Sequence, residues 1–222
     1  MERIIRIGIA GLGVGAVQVV KAVAEDPRYQ WTAACDVRSR ALTAFRERFG
    51  GHTYETVEDV CADPDVEVVW ISTPNHLHAA HTIIAAEHGK HIVIEKPMAL
   101  SLAEAESMVE ACDANGVQLL CGHTATMMPA YQAMRQVVTS GMLGQLRAVN
   151  VWSFSDWMLR PRMQQELDVS LGGGVAYRQA PLQVDVVRLL GGGLVRSVRA
   201  ITGDWFPPRP APGYYSAFLE FD

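Results

Sequence analysis

Lys96 stands between Glu95 and Pro97, directly after the apolar run His91-Ile92-Val93-Ile94, and is the side chain best placed by the sequence to move a proton. At the carboxyl end of a parallel strand, in the crevice where open α/β sheets hold ligands, an ammonium can be desolvated and tuned for acid–base work. The N-terminus supplies the pattern of a nucleotide site for it. The apolar Ile5-Arg6-Ile7-Gly8-Ile9-Ala10 runs into Gly11-Leu12-Gly13-Val14-Gly15-Ala16, which fits G-x-G-x-x-G/A with Ala16 in third place. Gly11 permits a tight turn, Gly13 lets the backbone approach a pyrophosphate, and Ala16 allows a helix to pack closely on the strand. Glycines also simply end strands, so this pattern gains weight from an acidic residue at the right distance.

Asp36 lies just past the second apolar run, about 20 residues on, where an acidic side chain meets the adenosine ribose. A carboxylate there accepts from both ribose hydroxyls and repels a 2′-phosphate, so NAD is expected rather than NADP. Two alternatives remain: Asp36 as a turn residue only, and Arg38 as the receiver of an NADP phosphate.

The elements that must position these residues alternate. Strands are predicted at 4–10, 31–35, 67–72, 91–94 and 117–121, with helices at 14–25, 40–49, 56–62, 76–89 and 101–115. This is the order of βαβ units, so the fold class is α/β: a Rossmann doubly wound parallel sheet over 1–123. Ser101 and Glu104 have capping-box spacing, and Gly116 sits where a left-handed residue would close that helix. From 124 to 222 the pattern becomes α+β with an open sheet: a helix from Pro129, a strand at 146–155, a glycine turn at 172–174, a helix at 175–190, and strands at 194–202 and 214–221. The last strand has no turn or partner after it, so this second domain, a substrate and dimerisation domain, is expected to lack its end.

The totals exclude several functions. In 222 residues with a formal net charge of −5, acidic and basic residues are interspersed, and no basic run could track a phosphate backbone or an anionic membrane. Cys35, Cys61, Cys112 and Cys121 form no C-x-x-C pair, which argues against a zinc knuckle or a disulfide framework and for reduced thiols in a cytoplasm. Neither a signal-peptide pattern nor a membrane-spanning apolar segment is evident, and no metal is expected.

With the fingerprint, Ser72-Thr73-Pro74-Asn75-His76-Leu77-His78, Gly89-Lys90-His91-Ile92-Val93-Ile94-Glu95-Lys96-Pro97, and then Gly172-Gly173-Gly174 and Asp185, the chain resembles the Gfo/Idh/MocA oxidoreductases over its whole length. The resemblance implies that Lys96 sits beside the nicotinamide and polarises or deprotonates the reacting hydroxyl. It implies a cis Lys96-Pro97 bond, a cofactor lining of Thr73, Pro74, Asn75 and Glu95, and His78 packed nearby. It also implies homo-oligomers that pair through the second-domain sheet, expected to be weak here if that sheet is incomplete. One departure stands out: the family's Asp, and its proton-carrying His four residues later, align with Arg178 and Leu182. Leucine cannot move a proton. Lys96 then works alone, with water or with another residue, or the chain binds NAD without turnover as a regulator.

The segment Trp152-Ser153-Phe154-Ser155-Asp156-Trp157 with Arg160-Pro161-Arg162 resembles a branch acting on carboxylated cis-dihydrodiols, of the dihydroxyphthalate and chlorobenzoate type. Arg160 or Arg162 would hold a ring carboxylate in bidentate fashion and Trp152 or Trp157 would flank the ring of this small-molecule substrate. The alternatives are surface arginines with core or dimer tryptophans, and a sugar or polyol as substrate.

Overall fold

The computed structural model describes residues 3–204 and 209–222. The chain divides into two compact units, Met1–Gly122 and His123–Asp222.

The first unit is a six-stranded parallel sheet in the order β3-β2-β1-β4-β5-β6. Its strands are β1 (Ile5–Ala10), β2 (Tyr29–Cys35), β3 (His52–Tyr54), β4 (Val68–Ile71), β5 (His91–Ile94) and β6 (Leu119–Cys121). The connecting helices are α1 (Ala16–Glu25), α2 (Ser39–Phe49), α3 (Val57–Ala62), α4 (His78–Glu87) and α5 (Leu102–Ala114). Strands buried on both faces need two apolar sets, and period-two alternation supplies them. Ile7 and Ile9 pack with Trp31, Ala34, Ala16, Val23 and Phe45. Ala10, Ala33, Val69, Ile71, Ile92 and Ile94 pack with residues of α3, α4 and α5 in a second cluster. Trp31 and Ala34 share a face although they stand an odd three positions apart, because the β1–β2 register shifts between Ile7 and Gly8 and Thr32 is skipped.

Ser101 accepts from the Glu104 amide at 3.2 Å, while the Glu104 carboxylate reaches back to the Leu100 amide at 2.8 Å. That fixes the start of α5, and Gly116, at a φ of 64°, follows its end. The helix predicted at 76–89 begins as a 3-10 turn, Asn75–Leu77, before α4. β3 was not predicted, since three edge residues are too short to show alternation.

The second unit contains α6 (Pro129–Thr139), α7 (Gln164–Leu167), α8 (Gly174–Gly191), β7 (Val195–Gly203) and β8 (Tyr214–Phe221), the two strands antiparallel. The strand predicted at 146–155 is absent: these residues are in no regular element, and Val151, Trp152 and Phe154 are exposed. Alternating polarity makes a strand only where a neighbour takes up its backbone donors and acceptors, and no such ladder forms here among the described residues. α8 carries Pro181 within it and closes at Gly192, whose amide donates to the Arg188 carbonyl at 3.0 Å. No helix among the described residues is long and apolar enough to cross a membrane.

Candidate functional site

The sheet order reverses between β1 and β4: the chain leaves β1 toward β2 and β3, then crosses to β4, β5 and β6. Ligands of open α/β sheets bind at the carboxyl ends of the strands flanking such a reversal. Here the glycine turn after β1 lies against the loop after β4. Gly11 has a φ of 91°, and a Cβ on it would lie 2.6 Å from the Ser72 carbonyl oxygen. Its amide donates to the Cys35 carbonyl at 2.9 Å, and the Ser72 amide donates to the Ala10 carbonyl at 2.7 Å. A Cβ on Gly13, by contrast, would meet nothing within 4 Å. That open side is what backbone approach to a pyrophosphate requires. Ala16 opens α1 and is fully buried, and the helix has neither an acidic residue in its first turn nor a side-chain cap, so its positive end favours an anion.

Asp36 is buried and fully engaged. Its carboxylate accepts from the Leu12 amide at 2.8 Å and from the Arg38 amide at 2.8 Å. Arg38 adds a bidentate pair, Nε and Nη2 each at 2.9 Å, and its Nη2 also donates to the Leu12 carbonyl at 3.0 Å. Burial pushes the Asp36 carboxyl up, but the bonds from Arg38 and the backbone outweigh it and hold the group below the usual carboxylate value. Asp36 thus ties the end of β2 to the glycine turn, with Arg38 lying over it.

Two further loops meet at His78. This fully buried imidazole has Nδ1 2.8 Å from the Pro97 carbonyl oxygen and Nε2 3.0 Å from that of Thr73. It links the loop after β4 to the loop that carries Lys96. A neutral ring can donate to one of these carbonyls, an imidazolium to both. One turn along α4, His81 Nδ1 lies 2.9 Å from the Thr73 hydroxyl, and burial, followed by the neighbouring His78 and His76, lowers the His81 pKa. Asn75 is buried, and Thr73 and Pro74 are half-buried. The Lys96-Pro97 bond is cis, as the resemblance implied. Glu95, whose amide donates to the Ile71 carbonyl at 3.0 Å, is pushed up by burial and partly drawn back by the Lys96 charge.

In the second unit the Arg162 guanidinium stacks 4.4 Å over the Trp157 ring, and its Nε donates to the Trp157 carbonyl at 2.9 Å. Arg160 is separate from this group, exposed and paired with Asp156 at 2.9 Å. Glu166, on α7, lies 3.5 Å from Arg162 and 3.4 Å from Arg178. Leu182 is half-buried on α8. Asp185 Oδ2 lies 3.8 Å from His123 Nδ1, beside a depression of about 450 Å³ that Tyr177, Pro181 and Arg188 also line. The sequence reading missed His81, His123 and Glu166, and took Arg178 only as a departure from a pattern. The three-residue spacing of His78 and His81 after Thr73-Pro74-Asn75 was the available signal for the first. Arg162 and Glu166 stand four residues apart, a spacing that offered a signal for the pair, whereas His123 had none, because Asp185 is remote in sequence.

Residues 5–123 match the oxidoreductase family with an NAD-binding Rossmann fold, and residues 131–222 match the GFO/IDH/MocA C-terminal domain. The chain belongs to the Gfo/Idh/MocA oxidoreductase family, and its first unit is that family's NAD-binding Rossmann domain. It is 37% identical over 98% of its length to a 1-carboxy-3-chloro-3,4-dihydroxycyclo hexa-1,5-diene dehydrogenase of Comamonas testosteroni, of which it covers 55%. It is 30% identical over 93% of its length to the levoglucosan dehydrogenase of Pseudarthrobacter phenanthrenivorans, covering 56% of that protein. The chain thus spans about half the length of these curated relatives. Among solved structures, the WlbA dehydrogenase of Bordetella pertussis, in complex with NADH and UDP-GlcNAcA, superimposes on all of the chain with a TM-score of 0.88 at 27% identity, 64% of that chain being covered.

The two glycines should separate experimentally. Gly11→Ala should cost roughly 1–3 kcal/mol in urea denaturation, through its positive φ and the clash with Ser72. Gly13→Ala should change stability by no more than about 0.5 kcal/mol yet weaken NAD binding at least about tenfold. Equal stability losses in the two variants would contradict this geometry. His81 makes a second prediction: below its ordinary value of 6.5 the unfolded chain takes up a proton that the folded site resists. Its contribution to stability is therefore complete above pH 6.5, declines as pH falls below it, and is lost once pH passes the lowered folded value. Urea titrations from pH 7.5 to 5 should show a shallower acid decline in His81→Gln than in the parent.

Proposed function

We propose that this chain carries an NAD-dependent dehydrogenase site that oxidises a carbinol carbon of a small cyclic substrate, a carboxylated cis-dihydrodiol that regains its aromatic ring. The observation that carries the reading is the junction of loops in the first unit: the open side of Gly13, the Thr73–Asn75 segment and Lys96 share the carboxyl edge of β1, β4 and β5, with His78 bonded to both Thr73 and Pro97. The similarity to the carboxylated cyclohexadiene dehydrogenase supports the substrate class.

In this reading NAD, when bound, supplies the hydride acceptor. The α1 N-terminus and the backbone at Gly13 hold its pyrophosphate, and Asp36 meets the adenosine ribose once Arg38 yields part of the carboxylate. Thr73, Pro74, Asn75 and Glu95 line the cofactor. Lys96, in its amine form, takes the proton of the reacting hydroxyl as hydride leaves the same carbon, so a C–H and an O–H bond break and a C=O bond forms; enolisation of that ketone, with the proton of the neighbouring carbinol carbon lost and the oxygen reprotonated from solvent, then restores the ring. Solvent receives the hydroxyl proton from Lys96. Arg162 and Trp157 contribute to the substrate side. Arg160, already paired with Asp156 in solvent, makes the weaker candidate.

A sugar or polyol dehydrogenase is the second reading, supported by the likeness to the levoglucosan dehydrogenase and to the WlbA dehydrogenase. NADH formation measured over carboxylated cis-dihydrodiols and neutral polyols separates the two. No turnover with any of them despite NAD binding would sink both and leave an NAD-responsive regulator.

Calorimetry should give tighter binding of NAD than of NADP, and Asp36→Ala should weaken NAD by about 1–3 kcal/mol while admitting NADP beside Arg38. Equal affinities in the parent would contradict the ribose role of Asp36. Lys96→Ala should abolish turnover with NAD affinity nearly intact, whereas Leu182→His should raise NADH production, since a positioned acid–base group contributes about 10²–10⁴-fold. A gain that survives the double variant would remove Lys96 from the proton step.

A further inference from the structure

Within the second unit, an imidazole and a carboxylate face each other without bonding. His123 Nδ1 and Asp185 Oδ2 lie 3.8 Å apart, and both atoms are buried with no hydrogen-bond partner among the described residues. A buried polar atom left unmet is costly, so a fold that keeps two of them side by side calls for a reason. Their separation is too long for a hydrogen bond, yet catalytic and binding pairs are often long in a ligand-free site and tighten when the ligand arrives. His123 Nε2 and Asp185 Oδ1 are neither bonded nor buried in this way, and they belong to the exposed part of side chains that are 34% and 24% accessible. Each group thus turns one polar atom inward to its partner and one outward.

Both residues line the depression of about 450 Å³, whose walls include Tyr177, Pro181 and Val184 of α8, with Arg188 adding an exposed charge at its rim. A mostly apolar hollow with a few convergent polar groups has the make-up of a small-ligand site. The two polar groups are held before any ligand arrives. Asp185 stands on α8, and the buried Thr126, in the 3-10 turn Ala125–Met127, donates its hydroxyl to the His123 carbonyl at 3.0 Å. A carboxylate behind an imidazole also fixes the tautomer: Nδ1 carries the proton on the side of the acid, and Nε2 keeps its lone pair. That lone pair calls for an O–H donor, and the outward Asp185 oxygen calls for another. A ring that bears hydroxyl groups meets these acceptors and the apolar walls together.

We propose that His123 and Asp185 form a hydroxyl-binding dyad for a ring seated in this depression: Asp185 holds the imidazole with its Nδ1–H inward, and Nε2 accepts the ring hydroxyl. The identification of that ring with the dihydroxylated substrate rests on the dehydrogenase reading above. His123 touches the ligand, and Asp185 is chiefly a positioning residue that acts through it.

The test is calorimetric titration of the full chain with catechol, set against catechol dimethyl ether, which keeps the ring and both oxygens but has no hydroxyl to donate. Catechol should bind at least about tenfold more tightly than the ether, because a site whose polar groups are left unmet rejects the analogue that cannot pair them. His123→Phe should remove most of that preference, and Asp185→Asn, which keeps the shape but releases the tautomer, should lower it roughly threefold or more. Side-chain nitrogen NMR at about pH 8 gives a readout that a purely structural pair would not move. His123 should carry its proton on Nδ1 in the parent, lose that bias in Asp185→Asn, and show its Nε2 signal shifting as catechol is added. Equal affinity for catechol and its ether, an Nε2 signal unmoved by catechol, or a proton on Nε2 in the parent would overturn the dyad, and should His123→Phe misfold, the parent titrations and spectra decide it. Catechol binding through His123 with no NADH formed from any diol would sink the dehydrogenase reading and leave the dyad standing; NADH formation from diols that His123→Phe leaves unaltered would do the reverse.

Discussion

Three loops leave the carboxyl ends of β1, β4 and β5 and have to lie against one another without filling the space between them. Gly11 meets this constraint by having no Cβ where the Ser72 carbonyl passes, and His78 meets it by joining the Thr73 and Pro97 carbonyls through one buried ring. The rest of the first unit serves that junction. The β1–β2 bulge keeps Trp31 and Ala34 on the face that α1 packs against, which sets where the helix begins and so where its positive end points. Asp36 completes the frame by bonding the Leu12 amide from the end of β2.

Much of this was legible in the sequence because it is local. Apolar runs of four to seven residues separated by amphipathic segments gave every strand of the parallel sheet except β3 and every helix between them. The fingerprint glycines could be read for the same reason: each answers a backbone demand that a single residue meets. Part of what failed depended on partners distant in the chain. The 146–155 segment alternates like a strand, yet alternation cannot reveal whether a neighbouring strand exists. α7 spans only four residues and has no periodicity to detect. At the candidate site, Asp36 was singled out by position, while its bidentate hold by Arg38 two residues on was not read, and Arg178 was seen as a missing Asp before its approach to Glu166 was visible.

The two units therefore carry different kinds of information. The first is a generic frame whose residues answer to a dinucleotide, and its sequence could serve many substrates. The second holds Leu182 on α8, His123 facing Asp185, and two arginines on one glutamate.

A dinucleotide is expected at the β1–β4 reversal and the loop after β5. Amide hydrogen exchange with and without NADH tests it most directly, because exchange reports each segment separately. Protection should rise in residues 11–17, 36–38, 72–76 and 95–98, with the edge strand β3 unchanged. Uniform protection of the chain, or protection that leaves residues 11–17 and 72–76 exchanging as before, would contradict it.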